Sequence, residues 1–364
     1  MRKIFVHAGF HKTGTTSLQE FCARNRAELR RHGLHYARLD YRRMQDHPNH
    51  SYVFRAAYDA AVAGDSGPRE ALVRELGRQL DGCDRMLVSG EVICVLDEPA
   101  RMLLLQDLRL LADELCFVLL VRHPKSYFQS ALQQHLKMWT GINLYRLSED
   151  MLATVIDHEW GSLYTKRLAF FRERLADDEL VVRKYEDATR TPGGAIGYLL
   201  EDCLGLRLPF ERYASFRPAN TSLSHETLLL ACALKSLRTE ANNATTNRLI
   251  DKFTSTAPRD GCRQAFAAPL ATRLPSIDSQ LAWLEANFGI RYDLDAVTFA
   301  QSDRDGRWSP AYFASLLAYA ARRLDAPERQ QLAAALDFIG HRPETRPDHA
   351  DALTAASQRL LSVA

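Results

Sequence analysis

Short, almost unbroken apolar runs that alternate with amphipathic segments restrict most sharply what this chain can fold into. Lys3 to Ala8, Arg85 to Ser89, Leu115 to Val121 and Glu179 to Lys184 are each rich in Val, Leu, Ile and Phe. Runs of that length and content read as strands buried on both faces, as in a parallel sheet covered by helices. Helical periodicity fills the gaps between them. Thr16 to His32 sets Leu18, Phe21, Cys22 and Leu29 at helical spacing and stops at Gly33. Pro68 to Leu80, Pro99 to Leu111 and Pro124 to Lys137 each begin with a proline suited to a first helical turn. Trp160 to Leu175 and Pro192 to Leu204 follow the same pattern. The expected fold is α/β: three layers, with a parallel sheet flanked by helices.

Past about residue 205 the strand signal fades. His225 to Arg238, Asn247 to Phe253 and Ile277 to Phe288 read as helices, as do Pro310 to Leu324, Pro327 to Ile339 and His349 to Val363. The polar stretch Phe299 to Ser309 reads as a loop. Residues 1–294 are therefore expected to form the main domain, and residues 295–364 a helical C-terminal extension. That extension would serve as a packing cap or as a homodimer surface.

The 364 residues are 46% apolar and 25% charged, which excludes a disordered chain, a fibrous repeat and a disulfide-stapled miniature. With 47 basic against 45 acidic residues, no general field attracts nucleic acid, so an anionic ligand must be held by local charge. Only eight of the basic residues are Lys, which gives weight to a Lys inside a motif. The seven cysteines are scattered with no C-x-x-C pair, the pattern of reduced thiols. The apolar run after Arg2-Lys3 is too short for a signal peptide, and no stretch approaches the ~20 apolar residues of a membrane span. A cytoplasmic location with no integral membrane segment is expected.

The most informative segment is Gly9-Phe10-His11-Lys12-Thr13-Gly14-Thr15-Thr16-Ser17-Leu18-Gln19, between the first strand and the first helix. Glycines allow a tight turn, and the amides of Gly14 to Ser17 then converge ahead of the helix. The positive end of the helix dipole lies there and attracts an oxyanion. Thr15, Thr16 and Ser17 add hydroxyl donors. The spacing of Gly9 and Gly14 imitates a G-x-x-x-x-G-K-[ST] loop, yet Thr15 stands where a triphosphate-binding Lys belongs. Val121-Arg122-His123 likewise ends the third expected strand where a magnesium-holding Asp belongs. A kinase or NTPase is disfavoured.

At these residues the chain resembles the sulfotransferases that use 3′-phosphoadenosine 5′-phosphosulfate. His11 to Gln19 is similar to their 5′-phosphosulfate loop, with Lys12 matching the catalytic lysine and Thr13, Gly14, Thr15, Thr16 and Ser17 the surrounding cradle. Arg122-His123-Pro124-Lys125-Ser126-Tyr127-Phe128-Gln129-Ser130 resembles the 3′-phosphate motif, an Arg at a strand end and a Ser eight positions later. The likeness covers about the first two hundred residues, with weaker echoes to about residue 290. It implies a P-loop-like sulfotransferase fold, that donor as co-substrate and no metal. The basic Arg-Lys-Gly loop found late in the aryl and steroid members has no counterpart here.

Residue chemistry agrees with that implication. Arg122 can clamp a phosphate in bidentate fashion, and open α/β sheets bind ligands at the carboxyl edge of their strands. Lys12 and the helix N-terminus would stabilise charge developing on the leaving phosphate. Glu91, in Val88-Ser89-Gly90-Glu91-Val92 at the end of a strand, is the first choice of general base, since partial desolvation tunes a carboxyl toward that task. A Glu after the corresponding strand takes the acceptor proton in the carbohydrate-acting branch, which the segment resembles. His11 is the alternative base.

A carbohydrate or glycolipid hydroxyl is the expected acceptor, an amine less so. Asp40 to Tyr58, with His47, His50, Tyr52, Arg55 and Tyr58, reads as an acceptor wall or a solvated loop; Gln133, Gln134 and Trp139 could contribute. Tyr185-Glu186 reads as structural. Arg217 to Ser224 reads as a donor-side loop or a helix cap. Two other readings stay open: a nucleoside or small-molecule kinase on the same scaffold, and a non-catalytic phosphate-binding or interaction module.

Overall fold

In the computed structural model, residues 1–41, 45–137, 145, 151, 154–155, 162–214, 216, 224–256, 275–292, 310–343, 345 and 347–362 are described. They fall into two compact units. The first comprises Met1–Pro124, Ser162–Asn220 and Asp278–Tyr292; the second comprises Lys125–Gly161, Thr221–Ile277 and Asp293–Ala364.

The first unit is built on a five-stranded sheet in the order β2-β3-β1-β4-β5, all parallel. The strands are β1 (Lys3–His7), β2 (His35–Tyr36), β3 (Arg85–Ser89), β4 (Glu114–Val121) and β5 (Leu180–Lys184). After their first residue, β1, β3 and β4 are buried throughout, as expected of strands covered on both faces. On one face Phe5, Leu87, Val118 and Leu120 pack with Leu18, Phe21 and Cys22. The helices are α1 (Thr15–Arg24), α2 (Arg26–Arg31), α3 (Ser51–Val62), α4 (Gly67–Leu80), α5 (Glu98–Leu111), α6 (Pro124–Lys137), α7 (Leu163–Arg174) and α8 (Tyr185–Arg190). All but Pro124 of α6 lies in the second unit.

Three features differ from the periodicity reading. The single helix expected over 16–32 is two. Asn25 breaks it because its side-chain amide donates to Phe21 O at 2.8 Å and its backbone N–H takes the same carbonyl at 3.0 Å. The two-residue β2 is too short to leave a pattern. Residues 51–62 form a helix where a wall or loop was expected, with Phe54, Ala57 and Tyr58 buried at i, i+3 and i+4.

The described part of the second unit is helical. Its helix Ala326–Gly340 opens with a capping box between Asp325 and Glu328. The buried Glu328 also takes Lys252 Nζ at 2.7 Å. The expected boundary after residue 294 and the loop at 299–309 lie outside the described residues. Among the described residues no helix is long and apolar enough to cross a membrane, and six cysteines are free thiols.

Candidate active site

The connection after β1 leads toward β2, on one side of the sheet, and the connection after β4 leads toward β5, on the other. The exits of β1 and β4 therefore flank the crevice where an open sheet of this order receives a ligand. Both exits carry a basic residue.

At the β1 exit the backbone folds back sharply. Lys12 (φ 69°) and Gly14 (φ 81°) both adopt the left-handed region. For a non-glycine residue that conformation persists only where the surroundings enforce it. Gly9 has no room for a side chain, because a Cβ there would lie 2.7 Å from His7 Nε2. The hydroxyls of Thr13 and Thr15 turn inward to Phe10 O, at 2.6 and 3.4 Å. The expectation that Thr15 offers its hydroxyl to an anion is corrected here: its side chain shapes the loop, and its amide is what remains. The first helical bond of α1 runs from Leu18 N–H to Gly14 O at 3.1 Å, so the amides of Thr15, Thr16 and Ser17 precede the ladder. Thr16 is exposed and Ser17 half-buried.

At the β4 exit Arg122 Nη1 donates to Lys12 O at 3.3 Å, which joins the two loops. Its guanidinium stands 5.4 Å from the centre of the Tyr185 ring. A Cβ on Gly14 would meet that same ring at 3.6 Å, so Tyr185 touches both exits. Tyr164, fully buried, donates its hydroxyl to Arg122 O at 2.6 Å and packs edge-on against Phe10, with ring centres 4.9 Å apart. Glu186 accepts the His123 amide at 2.9 Å, in keeping with a structural Tyr–Glu pair.

Glu91 opens a 3₁₀ turn (Glu91–Val95) directly after β3, and its carboxylate is hydrogen-bonded to His11 Nδ1. Burial holds the Lys12 ammonium below its ordinary pKa; the Glu91 carboxylate pulls it back up and Arg122 pushes it further down. Lys12, Glu91, Arg122 and His11 thus form one electrostatic cluster, which the sequence left as four separate candidates. Among the described residues no group of three His, Cys, Asp or Glu side chains could hold a metal.

A buried polar node lies behind the cluster, and sequence reasoning missed it. His7 and Ser89 are cross-strand partners, and His7 Nδ1 and Ser89 Oγ share a hydrogen bond of 2.8 Å. Gln19 of α1 donates to Ser89 Oγ at 3.3 Å and to Asn49 Oδ1 at 3.3 Å. His50 Nδ1 accepts the Ser89 amide at 3.1 Å, and Ser51 Oγ accepts the Val92 amide at 3.2 Å. The middle of α1, the end of β3 and the start of α3 are therefore tied together, with Ser51 holding the amide next after Glu91 in the chain. One signal was readable: Gln19 is polar on the face of α1 otherwise lined by Leu18, Phe21 and Cys22.

The remaining expectations divide. His50 and Tyr58 are buried, and the Tyr58 hydroxyl donates to Asp107 at 2.9 Å, so neither lines an acceptor wall. Tyr52 is half exposed. Ser130 sits half-buried on α6 and belongs to the second unit, whereas Arg122 belongs to the first. Gln133 is buried. Ser224 caps the helix His225–Ser236 by accepting the Thr227 amide at 3.2 Å. Trp139 and residues 217–223 lie outside the described residues. No family model, no curated protein and no solved structure matches this chain.

Proposed function

We propose that this chain is a sulfotransferase of the P-loop-like fold that moves a sulfuryl group from 3′-phosphoadenosine 5′-phosphosulfate to a hydroxyl, by in-line displacement. A carbohydrate or glycolipid is the acceptor the resemblance favours, and reduced thiols suit a cytoplasmic setting. The observation that carries the reading is the bond from the Arg122 guanidinium to the Lys12 carbonyl, which gathers two cations at the β1–β4 crevice. An anion between them relieves the repulsion that helps lower the Lys12 pKa. The amides of Thr15, Thr16 and Ser17 and the Lys12 ammonium would hold the 5′-phosphosulfate, with Arg122 on the 3′-phosphate. Lys12 stabilises the leaving phosphate, and the His11–Glu91 pair receives the acceptor proton. A metal is not needed, because a sulfuryl group carries less charge than a phosphoryl group.

Calorimetric titration separates this reading from a kinase. 3′-Phosphoadenosine 5′-phosphate should bind without magnesium and bind at least about tenfold more weakly to Arg122→Ala. Tight binding of ATP–magnesium in its place overturns the proposal. Donor binding with no turnover on any of a panel of alcohols, sugars and amines would favour a binding module.

A further inference from the structure

Two groups at the site can take a proton from an incoming hydroxyl: the Glu91 carboxylate and the His11 ring. They are bonded to each other, which occupies His11 Nδ1 and one of the two Glu91 carboxylate oxygens. An ionised carboxylate has lone pairs and no hydrogen, so the ring nitrogen facing it must be the donor. That nitrogen is Nδ1. In the neutral ring the lone pair then sits on Nε2, at the opposite side of the imidazole.

Exposure separates the partners in the same sense. The His11 side chain is 45% exposed, and that of Glu91 is 14% exposed. Glu91 is also engaged electrostatically by Lys12. A shielded carboxylate that holds an imidazole N–H and faces the charge of Lys12 is placed to orient, while the more exposed ring is placed to react. His11 directly precedes Lys12, so the proton acceptor and the leaving-group cation lie on one loop whose backbone is pinned at Phe10 and Lys12.

We propose that His11, through Nε2, takes the acceptor proton, and that Glu91 is a positioning residue that fixes the ring tautomer and stabilises the imidazolium. This reverses the order expected from the sequence, and it rests on the sulfuryl-transfer reading. As the acceptor oxygen bonds to sulfur, its proton passes to Nε2. The sulfur–oxygen bond to the donor phosphate breaks, and its electron pair remains on the phosphate oxygen beside Lys12. The imidazolium then returns its proton to solvent through the exposed edge of the ring.

The tautomer is testable without turnover. Long-range proton–nitrogen NMR of the ¹⁵N-labelled full chain, with His11 identified by its loss in His11→Asn, should show hydrogen on Nδ1 and a bare Nε2 in the neutral ring. Glu91→Ala should release the ring toward the Nε2–H form that free histidine favours. A wild-type ring already in the Nε2–H form overturns the assignment.

Turnover supplies the second arm, with ³⁵S-labelled donor and sugars, simple alcohols and water as acceptors. His11→Ala should lose roughly 10²–10⁴-fold in rate. Its affinity for 3′-phosphoadenosine 5′-phosphate should stay within about threefold, and added imidazole should restore part of the rate. Rescue of Glu91→Ala by formate, with His11→Ala near wild-type rate, overturns the proposal. If the wild type does not bind that nucleotide, the sulfuryl-transfer reading itself falls, a result that the tautomer measurement cannot mimic.

Discussion

The exits of β1 and β4 each present a cation to the same crevice, but they hold it by opposite means. At β1 the backbone does the holding: Lys12 and Gly14 are left-handed, and two threonine hydroxyls close on the Phe10 carbonyl. At β4 side chains do it, with Arg122 over the Tyr185 ring and its carbonyl capped by the buried Tyr164 hydroxyl. A cation placed by dihedral angles is sensitive to substitutions that alter conformational freedom. One placed by packing is sensitive to truncation of its neighbours. The two exits should therefore fail differently when changed.

The largest effect belongs to the β1 exit. Lys12→Ala should lower transfer from the labelled donor by about 10²–10³-fold or more, since it removes charge aimed at the leaving group. A loss under tenfold would reduce the loop to an ordinary turn.

Acid should act next, through the last residue of β1. Burial drives the His7 pKa from its ordinary 6.5 to about 4, and its Nε2 has no partner among the described residues. Between those two values the unfolded chain takes up a proton that the folded chain refuses. Stability therefore falls as pH drops from 6.5 toward 4 and the loss levels off below that, at most on the order of 3 kcal/mol. His50, driven to about 3, extends the same trend. Urea unfolding at pH 7 and pH 5 measures the loss, and His7→Gln should flatten it.

Gly14→Ala tests the backbone half of the contrast. At φ 81° a side chain costs about 1–2 kcal/mol, read as a lowered denaturation midpoint, while Arg122 is untouched. The smallest effect should be Tyr185→Leu. Loss of the ring beneath Arg122 removes about 0.5–1 kcal/mol, a two- to fivefold weaker affinity for 3′-phosphoadenosine 5′-phosphate at nearly unchanged stability. If Tyr185→Leu proves worse than Gly14→Ala in a stability measurement, the contrast between the two exits is wrong.

What was legible in the sequence follows this division. β3 is found at the expected residues, and β1, β4 and β5 differ from expectation by one residue at an end, because buried parallel strands write themselves as unbroken apolar runs. The helix Pro124–Lys137 also agrees, since proline marks its first turn. Helix α3 was missed although Phe54, Ala57 and Tyr58 keep helical spacing. Its opening Ser51-Tyr52-Val53-Phe54 is rich in aromatic and β-branched residues, and no side chain caps it. Lys12, Arg122, Glu91 and His11 could be chosen as residue types at strand ends. Their joining depends on sheet order, which no local pattern contains. The Ser89 node was hidden for the same reason: His7 meets Ser89 only through the register of β1 on β3. Tyr164 comes from a helix far along the chain, and nothing near it in sequence points to the Arg122 carbonyl.

The central place of β1 also bears on how the chain is made. β1 precedes the other four strands of its sheet in the chain and is paired on both sides, and Lys3 must meet Glu114, 111 residues later. At about 5–20 residues per second, β1 waits roughly 5–20 s for its second neighbour. Throughout that interval Ile4, Phe5 and Val6 are exposed apolar residues on a growing polypeptide, a natural target for a chaperone that holds nascent chains.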